Sequence, residues 1–163
     1  ACDHEQVKPD ILLLGKALSG GFMPVSAVLA NDEIMLTIKP GEHGSTYGGN
    51  PLAAAVTMAA LDVLENEHLA ANAQARGTQL LTFLQELEVK SPMIRKVRGK
   101  GLLCAIEIEA TEDSDLAWNI CLQLMEKGLL AKPTHGNIIR LAPPLVITEK
   151  EMEEAIQIIL SVH

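Results

Sequence analysis

The stretch ILLLGKALSGGFMPVSAV, residues 11–28, decides the fold class. Four large apolar residues, Ile11 to Leu14, run without alternation, as expected of a strand buried on both faces of an α/β sheet. One glycine later the run ends on Lys16. Lysine is seldom fully buried, because an unpaired ammonium in apolar surroundings is costly. Ser19, Gly20 and Gly21 follow and supply a turn, and PVSAVLA, residues 24–30, reads as a second strand. Two readings of Lys16 stay open here. Desolvation at the mouth of an apolar strand frees an amine as a nucleophile toward an aldehyde, and neighbouring glycines let a flat ligand approach the backbone. A lysine that merely snorkels out of a strand end does neither. A phosphate-loop lysine is excluded, since that motif puts Gly-Lys after its glycines and before Ser or Thr, whereas Lys16 precedes them.

Outward from this stretch, DEIMLTI (32–38) reads as a short helix and KPGEHGSTYGGN (39–50) as loop. Asn50-Pro51 opens a helix, with Asn as N-cap and Pro in the first turn. Leu52, Val56, Ala59 and Val63 recur at helical spacing on an alanine-rich helix that breaks near Asn66-Glu67-His68. A second helix runs to about Leu87 with Leu69, Leu80, Leu84 and Leu87 inward. The remainder reads as a compact α+β unit. Strands are expected at 94–98 and 102–109, a helix at 114–127 closed by Gly128, and short strands at 129–132 and 137–142. Thr148-Glu149-Lys150-Glu151 is a capping box for a last helix at 149–161. Residues 1–50 offer strands and loops with almost no helix to cover them. With Ala at position 1, the first third is expected to be the tail of a larger α/β domain.

The chain has 163 residues, is 48% hydrophobic and carries a net charge of −8. Its mean hydropathy is +0.19. An acidic chain lacks the clustered Lys and Arg of a nucleic-acid surface; Arg95-Lys96-Val97-Arg98-Gly99-Lys100 reads as a solvated strand end and turn. Cys2, Cys104 and Cys121 form no CxxC pair, which suits packing thiols in a reducing compartment. His4, His43, His68, His135 and His163 lack ligand spacing, so no metal is expected. No apolar run reaches the roughly 20 residues that span a bilayer, and no signal peptide is legible.

Two further candidates carry chemistry. HGSTYGGNP, residues 43–51, offers backbone amides with the Ser45 and Thr46 hydroxyls as a phosphate-binding nest, or else is a plain surface loop. Arg140, in NIIRLAPPL, needs an anionic partner within an apolar strand. That partner is either a structural carboxylate or the carboxylate of a substrate.

Together, DILLLGKALSGG, HGSTYGGNPLA, VRGKGLL and GLLAKPTHGNIIRLAPPLVI resemble the fold-type I, class III aminotransferases that use pyridoxal 5'-phosphate, over essentially the whole chain. GKALSGG and HGSTYGGNP are shared across that family. IKPGEHGSTYGGNP and AKPTHGNIIRLAPPL resemble the branch that moves the δ-amino group of L-ornithine to 2-oxoglutarate, giving glutamate 5-semialdehyde and glutamate. Another class III ω-aminotransferase, such as one acting on acetylornithine, and a non-catalytic truncated fragment are the alternatives.

The resemblance implies that Lys16 condenses with the cofactor's aldehyde. It implies that Thr46, with Ser45 alongside, binds the cofactor phosphate of a partner subunit, and that Arg140 grips a substrate carboxylate. It implies a homodimer or higher homo-oligomer, in the mitochondrial matrix or the cytoplasm, with no nucleic acid or membrane partner. It also implies an architecture: residues 1–50 as the end of the large cofactor-binding domain, 51–68 as a connecting helix, and 69–163 as the small C-terminal α+β domain. The family's first phosphate loop, stacking aromatic, pyridine-nitrogen aspartate and the carboxylate that neutralises the resting arginine are expected upstream, so the 163-residue chain alone is expected to be inactive.

Overall fold

The computed structural model describes residues 2–162; Ala1 and His163, the outer limits of the expected domains, lie outside the described residues. The chain divides into two compact units, one up to Glu67 and one from His68.

In the first unit a single 3-10 turn, Cys2–Glu5, precedes β1, Ile11–Leu14. β1 pairs antiparallel with β2, Ala27–Ala30, from Ile11↔Ala30 to Leu14↔Ala27. The cover expected on both faces of this strand is not found among the described residues of this unit. The ribbon has two strands, and Leu13 is 75% exposed. An unbroken apolar run records a demand for cover on both faces, and the described residues of this unit do not supply that cover. β2 also starts later than expected, because Pro24 has no N–H to give to a ladder.

Helix α1, Asp32–Met35, is one turn long, capped by the Asn31 side chain on the Ile34 N–H at 3.1 Å. It stops short of the expected Ile38, where Thr37 Oγ1 and Lys39 Nζ donate to the Ile34 and Leu36 carbonyls at 2.7 and 2.8 Å and end the helical ladder. Helix α2, Pro51–Asn66, begins as read: Asn50 Oδ1 accepts from the Leu52 and Ala53 N–H groups at 2.9 and 3.2 Å. Its buried residue is Ala53, while Leu52 and Val63 of the expected apolar row lie exposed.

The second unit has a closed core. Helix α3, Leu69–Lys90, follows His68, whose left-handed backbone breaks it from α2. It buries Leu69, Leu80, Leu84 and Leu87, the four residues read as inward. A four-stranded antiparallel sheet of order β3-β4-β6-β5 packs beneath it. Its strands are β3 Ile94–Lys100, β4 Leu103–Ile108, β5 Lys132–Thr134 and β6 Ile138–Leu141. Cys104, Ile106, Ile108, Ile139 and Leu141 alternate along β4 and β6 onto the core face, with their neighbours on the other face.

β5 starts three residues later than expected, at Lys132, and it contains Pro133. The ring is tolerated because β5 is an edge strand, whose outward N–H groups have no ladder partner to lose. The other edge strand, β3, gives its Val97 N–H to Glu88 of α3 at 2.9 Å.

Helix α4, Leu116–Glu126, ends where Gly128 takes a left-handed φ of 94° and the Leu129 N–H reaches the Leu124 carbonyl at 2.9 Å, a Schellman closure. Helix α5, Glu149–Leu160, starts with the expected capping box. The RGKG motif earns a packing role: a Cβ added at Gly77 of α3 would meet the Gly101 carbonyl oxygen at 2.2 Å, so helix and hairpin touch backbone to backbone. Among the described residues no helix is long and apolar enough to cross a membrane, and no three His, Cys, Asp or Glu residues group to hold a metal.

Candidate active site

Lys16 follows β1 by one glycine and has a left-handed backbone, φ 56°. For a residue with a Cβ this conformation costs about 1–2 kcal/mol, so the turn around it must hold it there. Four hydrogen bonds do so. The Leu18 N–H donates to the Gly15 carbonyl at 3.2 Å and the Gly20 N–H to the Ala17 carbonyl at 2.9 Å. Ser19, 1% exposed, accepts from the Met23 N–H at 3.0 Å and donates to the Met23 carbonyl. The lysine itself is exposed, so the desolvation expected of it is not met within this unit.

A concavity of about 980 Å³ opens beside this turn. Lys16, Ser45, Tyr47, Gly48, Gly49 and Thr57 line it, drawn from the β1 turn, the glycine-rich loop and α2. Ser45 Oγ accepts from the Gly48 N–H at 3.0 Å, which folds the loop and leaves the hydroxyl proton free to donate. Gly48 is required for that fold, since a Cβ there would stand 2.9 Å from the Ser45 Cβ. Thr46 is exposed on the same loop and does not line the concavity.

Thr57 is the residue sequence reasoning missed. Its Oγ1 is buried and has no hydrogen-bond partner among the described residues. A stranded hydroxyl is costly unless something else satisfies it. The one sequence signal was a lone threonine in the alanine-rich run LAAAVTMAA.

The donor set suits a phosphorylated aldehyde. Lys16 supplies an amine, and the loop supplies N–H groups and the Ser45 hydroxyl. The volume lies within the roughly 300–1,000 Å³ of small-molecule sites.

Arg140 belongs to the second unit. It projects from β6 on the face away from the core, exposed, between Ala105 of β4 and Lys132 of β5. Among the described residues no carboxylate pairs with it; the ion pairs there are Arg76–Glu149, Lys90–Glu86, Arg95–Glu107 and Arg98–Glu107. The structural ion pair considered for Arg140 is therefore not found within this unit.

The architecture is that of the fold-type I aminotransferases. The chain belongs to the class III aminotransferase family: residues 1–162 match the sequence pattern described as aminotransferase class-III. Over 159 residues it is 64% identical to the mitochondrial ornithine aminotransferase of Rattus norvegicus, covering 98% of this chain and 36% of that protein. A crystal structure titled acetylornithine aminotransferase, from Elizabethkingia anophelis, matches with a TM-score of 0.95 and 62% identity over 99% of this chain and 42% of that one. The ornithine aminotransferase of Toxoplasma gondii, whose title records partial occupancy of PLP at its active site, matches with a TM-score of 0.92 and 47% identity, covering 99% and 38%. The chain spans about a third of the length of the curated relatives it matches.

Proposed function

We propose that the full-length protein is an ornithine δ-aminotransferase dependent on pyridoxal 5'-phosphate. It moves the δ-amino group of L-ornithine to 2-oxoglutarate and yields glutamate 5-semialdehyde and glutamate. The observation that carries this reading is Lys16, held in a strained backbone at the rim of a concavity lined with hydroxyls and glycine amides. Strain of this kind persists only where the surroundings over-determine it, and it gathers at functional sites. The identity to the rat relative supports ornithine as the amino donor. The name of the Elizabethkingia structure favours acetylornithine as a second reading.

Pyridoxal phosphate, when bound, supplies an aldehyde that takes up amino groups and a ring that stores an electron pair. Lys16 would hold it covalently through Nζ. Once that amine is free, it would serve as the base that takes a proton from Cδ of ornithine and then as the acid that delivers it to the cofactor. Thr46, exposed on the glycine-rich loop, would present its hydroxyl to the cofactor phosphate of a second subunit, with Ser45 alongside it. Arg140 grips the α-carboxylate of 2-oxoglutarate with its planar fork. The exposed apolar surface of α2 and of the β1–β2 ribbon supports a homodimer or a higher homo-oligomer. The rat relative's name supports a mitochondrial location.

Borohydride reduction of the full-length protein followed by peptide mapping tests the assignment. The cofactor is expected on Lys16; recovery on Lys39 or Lys132 would remove the reading. Turnover of L-ornithine against acetylornithine decides between the two donors.

A further inference from the structure

Arg140 does not stand alone on the open face of its sheet. Register sets Lys132 of β5 directly opposite Arg140, Ala105 of β4 opposite Arg140 on its other side, and Arg98 of β3 opposite Ala105. Directly opposed residues of antiparallel strands share a face, with Cβ atoms about 4.5–5.5 Å apart. One row across the sheet therefore reads Arg98, Ala105, Arg140, Lys132, three cations and one small residue. Like charges directly opposite each other destabilise a sheet. Glu107, in the next row, relieves one end only: its carboxylate lies 3.8 Å from Arg98 and 3.3 Å from Arg95. Lys132 and Arg140 are both exposed, and among the described residues neither is paired with a carboxylate. Ala105 leaves the space beside the guanidinium open.

We propose that Lys132 and Arg140 together form the receptor for one carboxylate of the acceptor, and that Lys132 is a specificity-determining residue for doubly charged acceptors. This rests on the reading of Arg140 as the holder of the acceptor's carboxylate. The two cations divide the work by their chemistry. The guanidinium fork fixes the carboxylate plane, and the ammonium, a point charge on a flexible stem, follows the anion and adds a second attraction. Two cations on one row also raise the local potential, and the second carboxylate of a dianion gains from it as well, by less than the first because it lies farther away. Among the described residues nothing relieves this cross-strand repulsion at Lys132 and Arg140, and a bound anion would relieve it.

The test uses the full-length protein with Lys132→Met, which keeps the stem and removes the charge, Lys132→Arg, which keeps the charge, and Arg140→Ala. Two quantities are read. One is the affinity for glutarate, the five-carbon dicarboxylate without the keto group, by titration calorimetry. The other is kcat/KM of each half-reaction by single-turnover kinetics. Lys132→Met is expected to weaken glutarate binding and to raise KM for 2-oxoglutarate by about three- to tenfold, with kcat little changed. The ornithine half-reaction should lose much less, the salt dependence of glutarate binding should become shallower, and Lys132→Arg should restore most of the loss. Unchanged glutarate affinity in Lys132→Met, with Arg140→Ala still selective for the acceptor half, would overturn this proposal alone. Equal losses in both half-reactions for Arg140→Ala would overturn the acceptor reading and this proposal with it.

Discussion

Ser19 shows how a single residue fixes the segment that presents Lys16. Its hydroxyl both gives and takes a hydrogen bond at Met23 and is almost wholly buried. Ser19→Ala would strand the Met23 N–H and carbonyl, a penalty of about 1–3 kcal/mol. The expected outcome is a matching fall in unfolding free energy by denaturant titration; a fall of less than about 0.5 kcal/mol would mean the hydroxyl is idle. The cysteines permit a second prediction. Burial pushes the Cys104 and Cys121 thiols up from their ordinary value, so less of each is thiolate at neutral pH, and both sit in the core. Cys2 lies outside that core. Iodoacetamide on the native protein should label Cys2 well before the other two, and three equal rates would contradict the packing described for β4 and α4.

Elements in this chain are set mostly by their ends. α5 is the clearest case. Thr148 Oγ1 accepts from the Glu151 N–H at 3.2 Å, while Glu151 accepts from the Thr148 N–H at 2.8 Å and from its hydroxyl at 2.7 Å. The backbone bond first, and the hydroxyl second, hold the Glu151 carboxyl below the usual glutamate range. A depressed folded-state value means the contribution is present above the unfolded carboxylate range and is lost as pH falls through the folded value. Glu151→Gln should therefore lower Tm at neutral pH, and the gap to the parent should close as pH falls below about 4. A gap independent of pH would show that the charge is irrelevant to the cap. Local signals of this kind also placed Asn50 at the head of α2 and Gly128 at the end of α4, since a cap needs partners only within one turn. β5 escaped the same reading because Pro133 argues against a strand until its edge position is known.

At the scale of the whole molecule the two units differ in how far they satisfy their own apolar residues. The second unit buries Leu84, Ile108 and Met152 completely between sheet and helices. The first buries Ala53 and Ser19 and leaves Leu13 and Phe22 open, Phe22 at 91%. Leu84→Ala should cost about 2–5 kcal/mol, because the packed neighbours cannot collapse into the space. Native hydrogen exchange on the 163-residue chain should find the slowest amides in α3, β4 and β6 and the fastest in β1 and β2. Comparable protection in the β1–β2 ribbon would show that something covers it.

Periodicity and capping act between residues a few positions apart, so the sequence alone determined the inward leucines of α3, the capping box of α5 and the glycine-rich loop that carries Ser45. The same local legibility marked Lys16 as out of place after ILLL. Tertiary structure decided what depends on remote neighbours. Whether β1 is covered is a property of what packs on it, and the unbroken apolar run records only the demand. The pairing of Lys132 with Arg140 follows from the turn at His135 and Gly136, where φ is 49° and 71°. A shift of one residue there would have put one of the two cations on the core face. Thr57 Oγ1 is stranded for the same kind of reason, because its burial depends on what packs around α2 and not on the residues beside it in the chain.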